Sequence, residues 1–199
     1  MLIFLRPQVF RIALFLCVLS CGFQSSLPAQ ETQGPVEPFQ WAVLTGYGSS
    51  HPGWGETEER VEGVDLVGRV EKTLIREIGS SWYGGEHSLL VEPAVFFLTN
   101  PDESPLVSLS FLACYTFTGA ESFRPYLFGG GGPVYIGGEI DGVGARWNGN
   151  YQFGVGLRWR MEPAHSLLFE VRYHHISNGN TSDPNIPLNS TKFLVGFTF

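Results

Sequence analysis

Cysteine is scarce in this chain: three residues in 199, and two of them, Cys17 and Cys21, fall inside an apolar stretch near the N-terminus. Only Cys114 lies beyond that stretch, so no intrachain disulfide framework can hold the remainder together. Basic residues are few as well. Twelve Lys and Arg stand against 19 Asp and Glu, giving a net charge of −7 and a pI near 5.2. A nucleic-acid-binding protein neutralises phosphates with clustered Lys and Arg, and this balance argues against that class. Long hydrophobic runs are also missing, because past residue 29 none reaches the ~18 residues a transmembrane helix needs. What the chain has instead is 25 Gly and 14% aromatic residues, the stock of tight turns, close backbone approaches and interfacial rings.

The N-terminus reads as an export signal. Arg6 and Arg11 supply a positive flank, and "IALFLCVLSCGF" from Ile12 to Phe23 is an apolar core too short to span as an ordinary helix. Two cleavage positions compete, one after Ala29 and one before Cys21, where "VLSC" is similar to a lipoprotein signal. The former is favoured, which divides the chain into a signal at 1–29, a polar linker at 30–40 and a single domain at 41–199.

Within that domain, segments of alternating apolar and polar or small residues are separated by turn-like clusters. Eight are expected, at about 41–49, 61–71, 88–99, 106–118, 124–137, 149–160, 165–178 and 190–199. In the sixth, Tyr151, Phe153, Val155, Leu157 and Trp159 share one face; Gln152, Gly154, Gly156, Arg158 and Arg160 share the other. In the fourth, Val107, Leu109, Phe111, Ala113, Tyr115 and Phe117 oppose Ser108, Ser110, Leu112, Cys114, Thr116 and Thr118. The lumen of a small soluble barrel has no room for so many large rings, whereas a barrel with an apolar exterior and a polar interior turns them to lipid. The expected fold is therefore all-β, an eight-stranded antiparallel transmembrane β-barrel. The final residues agree, with Phe193, Val195, Phe197 and Phe199 alternating with Leu194, Gly196 and Thr198. This resembles the terminal strand of bacterial outer-membrane proteins and puts the expected location in the bacterial outer membrane.

Period-two alternation then assigns a direction to each polar residue of "RYHHISN". Phe169, Val171, Tyr173, His175 and Ser177 share the lipid face, while Glu170, Arg172 and His174 face the lumen. Short turns and both chain ends belong at the periplasmic side, so the seventh strand ends at the cell surface. His175 and Ser177 thus sit at the outer leaflet, close enough for an imidazole to activate a hydroxyl. Asn189, an even number of residues from the outward Phe193, reaches the same face and offers an amide to orient the ring.

These residues carry a family resemblance. "GVDLVGRVEKTL", "RPYLFGGGGPVYIGG", the sixth strand and above all "HISN…PN…N" are similar to the lipid A 3-O-deacylases of the outer membrane, the PagL-like proteins often labelled acyloxyacyl hydrolases. The resemblance implies that His175 is the general base, Ser177 the nucleophile, Asn178 a continuation of the motif and Asn185 a contributor to the oxyanion hole. It implies lipid A or lipopolysaccharide as substrate, and neither cofactor nor metal. Two departures stand out. Position 189 carries Asn where the family has a base-orienting Glu, and Gly179 comes one position before the expected glycine. An amide cannot neutralise an imidazolium, so on chemistry alone Asn189→Glu is expected to raise the rate.

A non-enzymatic reading stands beside this one, a catalytically impaired, structural or adhesive barrel whose polar rim happens to contain these residues. A metal pair at His174 and His175 is disfavoured because adjacent strand residues point to opposite faces. Glu170, Arg172, Arg158 and Arg160 are expected to form a lumenal charge network. The acidic "HPGWGETEERVE" reads as a solvated loop, with cation binding at Glu56, Glu58 and Glu59 as the sharper option. Oligomeric state, a homodimer included, is left open.

Overall fold

The computed structural model describes residues 39–101, 105–162 and 165–199. The expected signal at 1–29 and nearly all of the 30–40 linker lie outside the described residues. From Gln40 the chain forms eight strands: β1 (Gln40–Ser50), β2 (Glu62–Ile78), β3 (Gly85–Asn100), β4 (Leu106–Phe117), β5 (Phe123–Ile136), β6 (Trp147–Arg160), β7 (Ser166–Ser177) and β8 (Leu188–Thr198). Each pairs antiparallel with its sequence neighbours, and β1 pairs with β8 to close the barrel. Closure leaves no sheet edge whose backbone groups would meet hydrocarbon unpaired.

The strands agree with the expected segments except in the β2–β3 hairpin. β2 was expected to stop near residue 71 and continues to Ile78, with register shifts near Thr73, Ile75 and Ile78. Leu74 through Glu77 are all exposed, so this extension has no buried face and hence no period-two pattern to mark it.

Outward-facing side chains are apolar around the wall, including Val43, Leu66, Val107, Phe111, Leu127, Val155, Phe169 and Val195. Aromatic rings cluster towards the two rims. Phe39, Trp41, Phe123, Trp159 and Phe199 mark the end where β1 begins and β8 stops, and Tyr47, Trp54, Trp147 and Tyr151 mark the other. Aromatic girdles at these levels, with the amphipathic Trp and Tyr among them, fit the two membrane interfaces. The longer connections, 51–61, 137–146 and 178–187, all lie at the end away from the termini, which is the extracellular side of such a barrel.

The lumen is filled. An apolar layer near the termini contains Leu44, Leu90, Leu112, Tyr126 and Leu168, and a second near the extracellular end contains Phe96, Leu98, Leu106, Ile136 and Ile176. Between them lies a polar belt. Arg69 donates to Glu92 and Glu170 at 2.6 Å each, Arg172 donates to Glu92 at 2.7 Å and to Gln152 at 3.0 Å, and Arg172 also pairs with Glu170. Lys192 donates to Asp65 at 2.8 Å, and at the level where β1 begins Arg158 donates to Glu71 at 2.5 Å and to Gln40 at 3.1 Å. Glu170, Arg172 and Arg158 therefore join a lumenal network as expected, but Arg160 does not. It is the last residue of β6 and is exposed at the rim, where strand parity no longer dictates burial. The belt leaves a cavity of about 20 Å³ lined by Asp65, Glu92, Arg172, His174 and Lys192. That is room for about one water molecule.

Candidate active site

β7 delivers two polar side chains to the outer wall because its alternation runs unbroken to its last residue. His174 and Ile176 are buried inward, and His175 and Ser177 are half-buried outward. The strand stops there because Gly179 and Asn180 take left-handed backbone angles, φ +65° and +63°, which Gly and Asn tolerate best. Across the sheet, Tyr151 of β6, His175 of β7 and Asn189 of β8 lie in one row, and Gly149 lies opposite Ser177.

Within this row His175 Nε2 is 3.0 Å from Ser177 Oγ, and its Nδ1 is 2.8 Å from Asn189 Oδ1. The amide oxygen can only accept, so Nδ1 carries the proton and Nε2 presents its lone pair to the serine hydroxyl. The Tyr151 ring stacks on the imidazole with centroids 4.3 Å apart and planes 19° apart. Serine, imidazole and amide thus form a connected line on the lipid-facing wall, beside the extracellular rim.

Asn178 and Asn185 organise the connection that follows. Asn178 donates its side-chain amide to the carbonyls of Ser182 and Pro184, drawing the 178–184 turn closed. Its backbone N–H donates to Asn185 Oδ1 at 2.8 Å, which ties Asn185 to the residue after Ser177. One proton of Asn185 Nδ2 goes to Asn180 Oδ1 at 3.0 Å. All five residues singled out from the sequence therefore belong to one neighbourhood, and His174 is excluded from it.

Three further contributors escaped the sequence reading. Tyr173 shares the outward face that alternation predicts, and its hydroxyl also donates to Asn189 Oδ1. Trp54 and Thr57, in the β1–β2 connection, contact the Asn189 side chain. No spacing rule links residues so far apart; the only sequence signal was Gly53 and Gly55, which take φ +85° and +60° and shape that connection. Glu56, Glu58 and Glu59 are exposed, as expected of a solvated loop.

A family model for lipid A 3-O-deacylase (PagL) matches residues 70–198. Among solved structures, the chain is similar to the outer membrane enzyme PagL, at 16% identity over 79% of this chain and 97% of that one, with a TM-score of 0.53. It is also similar to Neisserial surface protein A, at 17% identity over 80% and 95% of the two chains, with a TM-score of 0.49. No curated protein matches at a significant level. The family match begins within β2 and runs through β8, taking in His175, Ser177, Asn185 and Asn189. By that match, and with a closed eight-stranded barrel to carry it, this chain belongs to the PagL lipid A 3-O-deacylase family of the bacterial outer membrane.

Proposed function

We propose that this protein hydrolyses an ester-linked acyl chain of lipid A in the outer leaflet, with Ser177 as nucleophile, His175 as general base and Asn189 as the group that orients the imidazole. The observation that carries the reading is the hydrogen-bonded line from Ser177 Oγ through His175 to Asn189 Oδ1 on the outer wall. A glycolipid ester lies at that depth, and a soluble substrate does not.

The chemistry follows from the tautomer. Nε2 removes the Ser177 proton as Oγ attacks the ester carbonyl, forming a tetrahedral oxyanion. Asn185 Nδ2 has given one proton to Asn180, and its second serves the oxyanion. Collapse breaks the ester C–O bond, and the imidazolium returns its proton to the departing lipid alcohol. Water, deprotonated by the same Nε2, then attacks the acyl-serine carbonyl; collapse breaks the acyl C–Oγ bond, releases the fatty acid and returns the proton from Nε2 to Ser177 Oγ. Asn189 cannot neutralise the imidazolium as a carboxylate would. The stacked face of Tyr151 offers part of that stabilisation, since an aromatic face attracts a cation by about 0.5–2 kcal/mol.

Mass spectrometry of lipid A from cells making the wild-type protein should reveal loss of one acyl chain. Cells making Ser177→Ala should retain it, although that barrel folds to the same heat-modifiable band. Identical lipid A with and without wild-type protein would sink the hydrolase reading in favour of a structural or adhesive barrel.

A further inference from the structure

We infer that the β1–β2 connection is a working part of the catalytic apparatus, with Trp54 and Thr57 fixing position 189 for an amide rather than an acid. The inference rests on the reading of His175 and Ser177 as base and nucleophile. It concerns a segment that precedes the family match at residues 70–198.

Asn189 is only 6% exposed, and all four hydrogen-bonding positions of its side chain are filled. Oδ1 accepts from His175 Nδ1 at 2.8 Å and from the Tyr173 hydroxyl at 2.5 Å. Nδ2 donates to the Trp54 carbonyl at 2.9 Å and to Thr57 Oγ1 at 2.8 Å. The Trp54 carbonyl can only accept, so it decides which end of the amide faces the histidine. A flipped amide would set two acceptor oxygens against each other. Thr57 acts as an acceptor here for a traceable reason. Its hydroxyl proton is donated to the Pro187 carbonyl at 2.9 Å, leaving the oxygen to accept from Asn189 Nδ2 and from the Asn189 backbone N–H.

The connection is shaped to make this approach. Thr57 is 2% exposed, although its neighbours Glu56 and Glu58 are exposed. His51 N donates to the Asn189 carbonyl at 3.0 Å, so both backbone groups of residue 189 are also held. The Trp54 ring packs edge-on against Tyr173 at 5.3 Å, covering the second donor to Oδ1. Gly55 has φ +60°, and a Cβ added there would lie 3.3 Å from Asn189 Nδ2. A side chain at 55 would therefore crowd the amide, in a left-handed backbone conformation that favours glycine.

An aspartate at 189, isosteric with asparagine, would keep the oxygen that faces His175, and a glutamate is one methylene longer than the side chain this buried site holds. The aspartate's second oxygen would meet the Trp54 carbonyl, where no proton is available, and would force the Thr57 hydroxyl away from Pro187. The gain that chemistry alone assigns to an acid at this position is thereby reversed. Asn189 is the built-in partner of this histidine, and Thr57 and Trp54 are positioning residues that act through it.

The test compares full-length mature wild type, Asn189→Asp, Asn189→Glu, Thr57→Val and Thr57→Ser in detergent micelles containing lipid A. The kcat of Asn189→Asp, Asn189→Glu and Thr57→Val should fall roughly 10- to 100-fold, the range expected when a buried polar partner is left unpaired. KM should stay unchanged, and Thr57→Ser, which keeps the hydroxyl, should recover most of the kcat that Thr57→Val loses. In parallel, a Glu-specific protease should cut at Glu56, Glu58 or Glu59 faster in Asn189→Asp and Thr57→Val than in wild type or Thr57→Ser. An Asn189→Asp protein that turns over as fast as wild type with an equally protected connection overturns the inference and leaves the deacylase reading standing. If wild type is itself inert towards lipid A, the deacylase reading fails, and equal protease protection across the series would remove the amide lock as well.

Discussion

His174 and His175 are neighbours in sequence and meet different surroundings. His174 is 7% exposed and lines the lumenal cavity with Lys192, Arg172 and Asp65, whereas His175 looks out beside Ser177. His175→Ala should therefore abolish ester hydrolysis, while His174→Ala should leave turnover near wild type and act on barrel stability instead. Lipid A turnover by folded protein checks both. The opposite outcome would mean a one-residue slip in β7, which exchanges every inward and outward side chain. The directions of both histidines were legible from alternation counted along the strand, and so was the outward parity of Asn189. The partners of Asn189 were not. Trp54 and Thr57 stand 135 and 132 residues away from it, and nothing in strand periodicity carries information over that separation.

β6 supplies the wall beside Ser177, with Trp147, Gly149 and Tyr151 on its outward face at that level. Several glycines in the adjoining sheet are required by contact. A Cβ at Gly131 would lie 2.1 Å from the Asn150 carbonyl, and one at Gly132 would lie 2.0 Å from that of Leu109. Gly149 has no such constraint, since its Cβ would meet nothing nearer than the Ser177 carbonyl at 3.8 Å. The absence of a side chain there opens a notch between Trp147 and Tyr151, directly across from Ser177. Gly149→Leu should leave the barrel folded and strongly reduce hydrolysis of lipid A, while a small fluorophosphonate still labels Ser177. Equal turnover of lipid A by Gly149→Leu would show that the substrate does not approach over β6. At this scale the strands were legible wherever one face met lipid and the other the lumen. The β2–β3 extension was not, because Leu74 through Glu77 are all exposed and the sequence has nothing to alternate.

Across the whole molecule, a belt of paired, buried charge occupies the middle of the lumen. Arg69, Arg172, Glu92 and Glu170 are each at most 2% exposed at the side chain and are mutually paired. Arg172→Met leaves two buried carboxylates short of a partner, and breaking a buried pair in this way costs about 3–5 kcal/mol. The unfolding midpoint read from heat-modifiable gel mobility should drop accordingly, and the remaining folded fraction should still hydrolyse lipid A, because this belt does not touch the outer wall. Because paired charged side chains occupy the lumenal belt around a cavity of about 20 Å³, the folded protein should give no ion conductance in planar bilayers. Steady single-channel currents would contradict a filled lumen.

The order of apolar and polar residues by itself determined the barrel, its inverted sense and the outward face of His175 and Ser177. Period two and the need to pair every backbone group in hydrocarbon leave few alternatives. Only the tertiary structure decided what the amide at 189 means. On sequence it reads as a missing acid; in the fold it is an amide whose two donors and two accepting positions are all occupied by groups from β7 and from the β1–β2 connection. Alternation reports the direction of a side chain. The proton inventory of its surroundings is set by loops whose return to the barrel wall leaves no periodic trace.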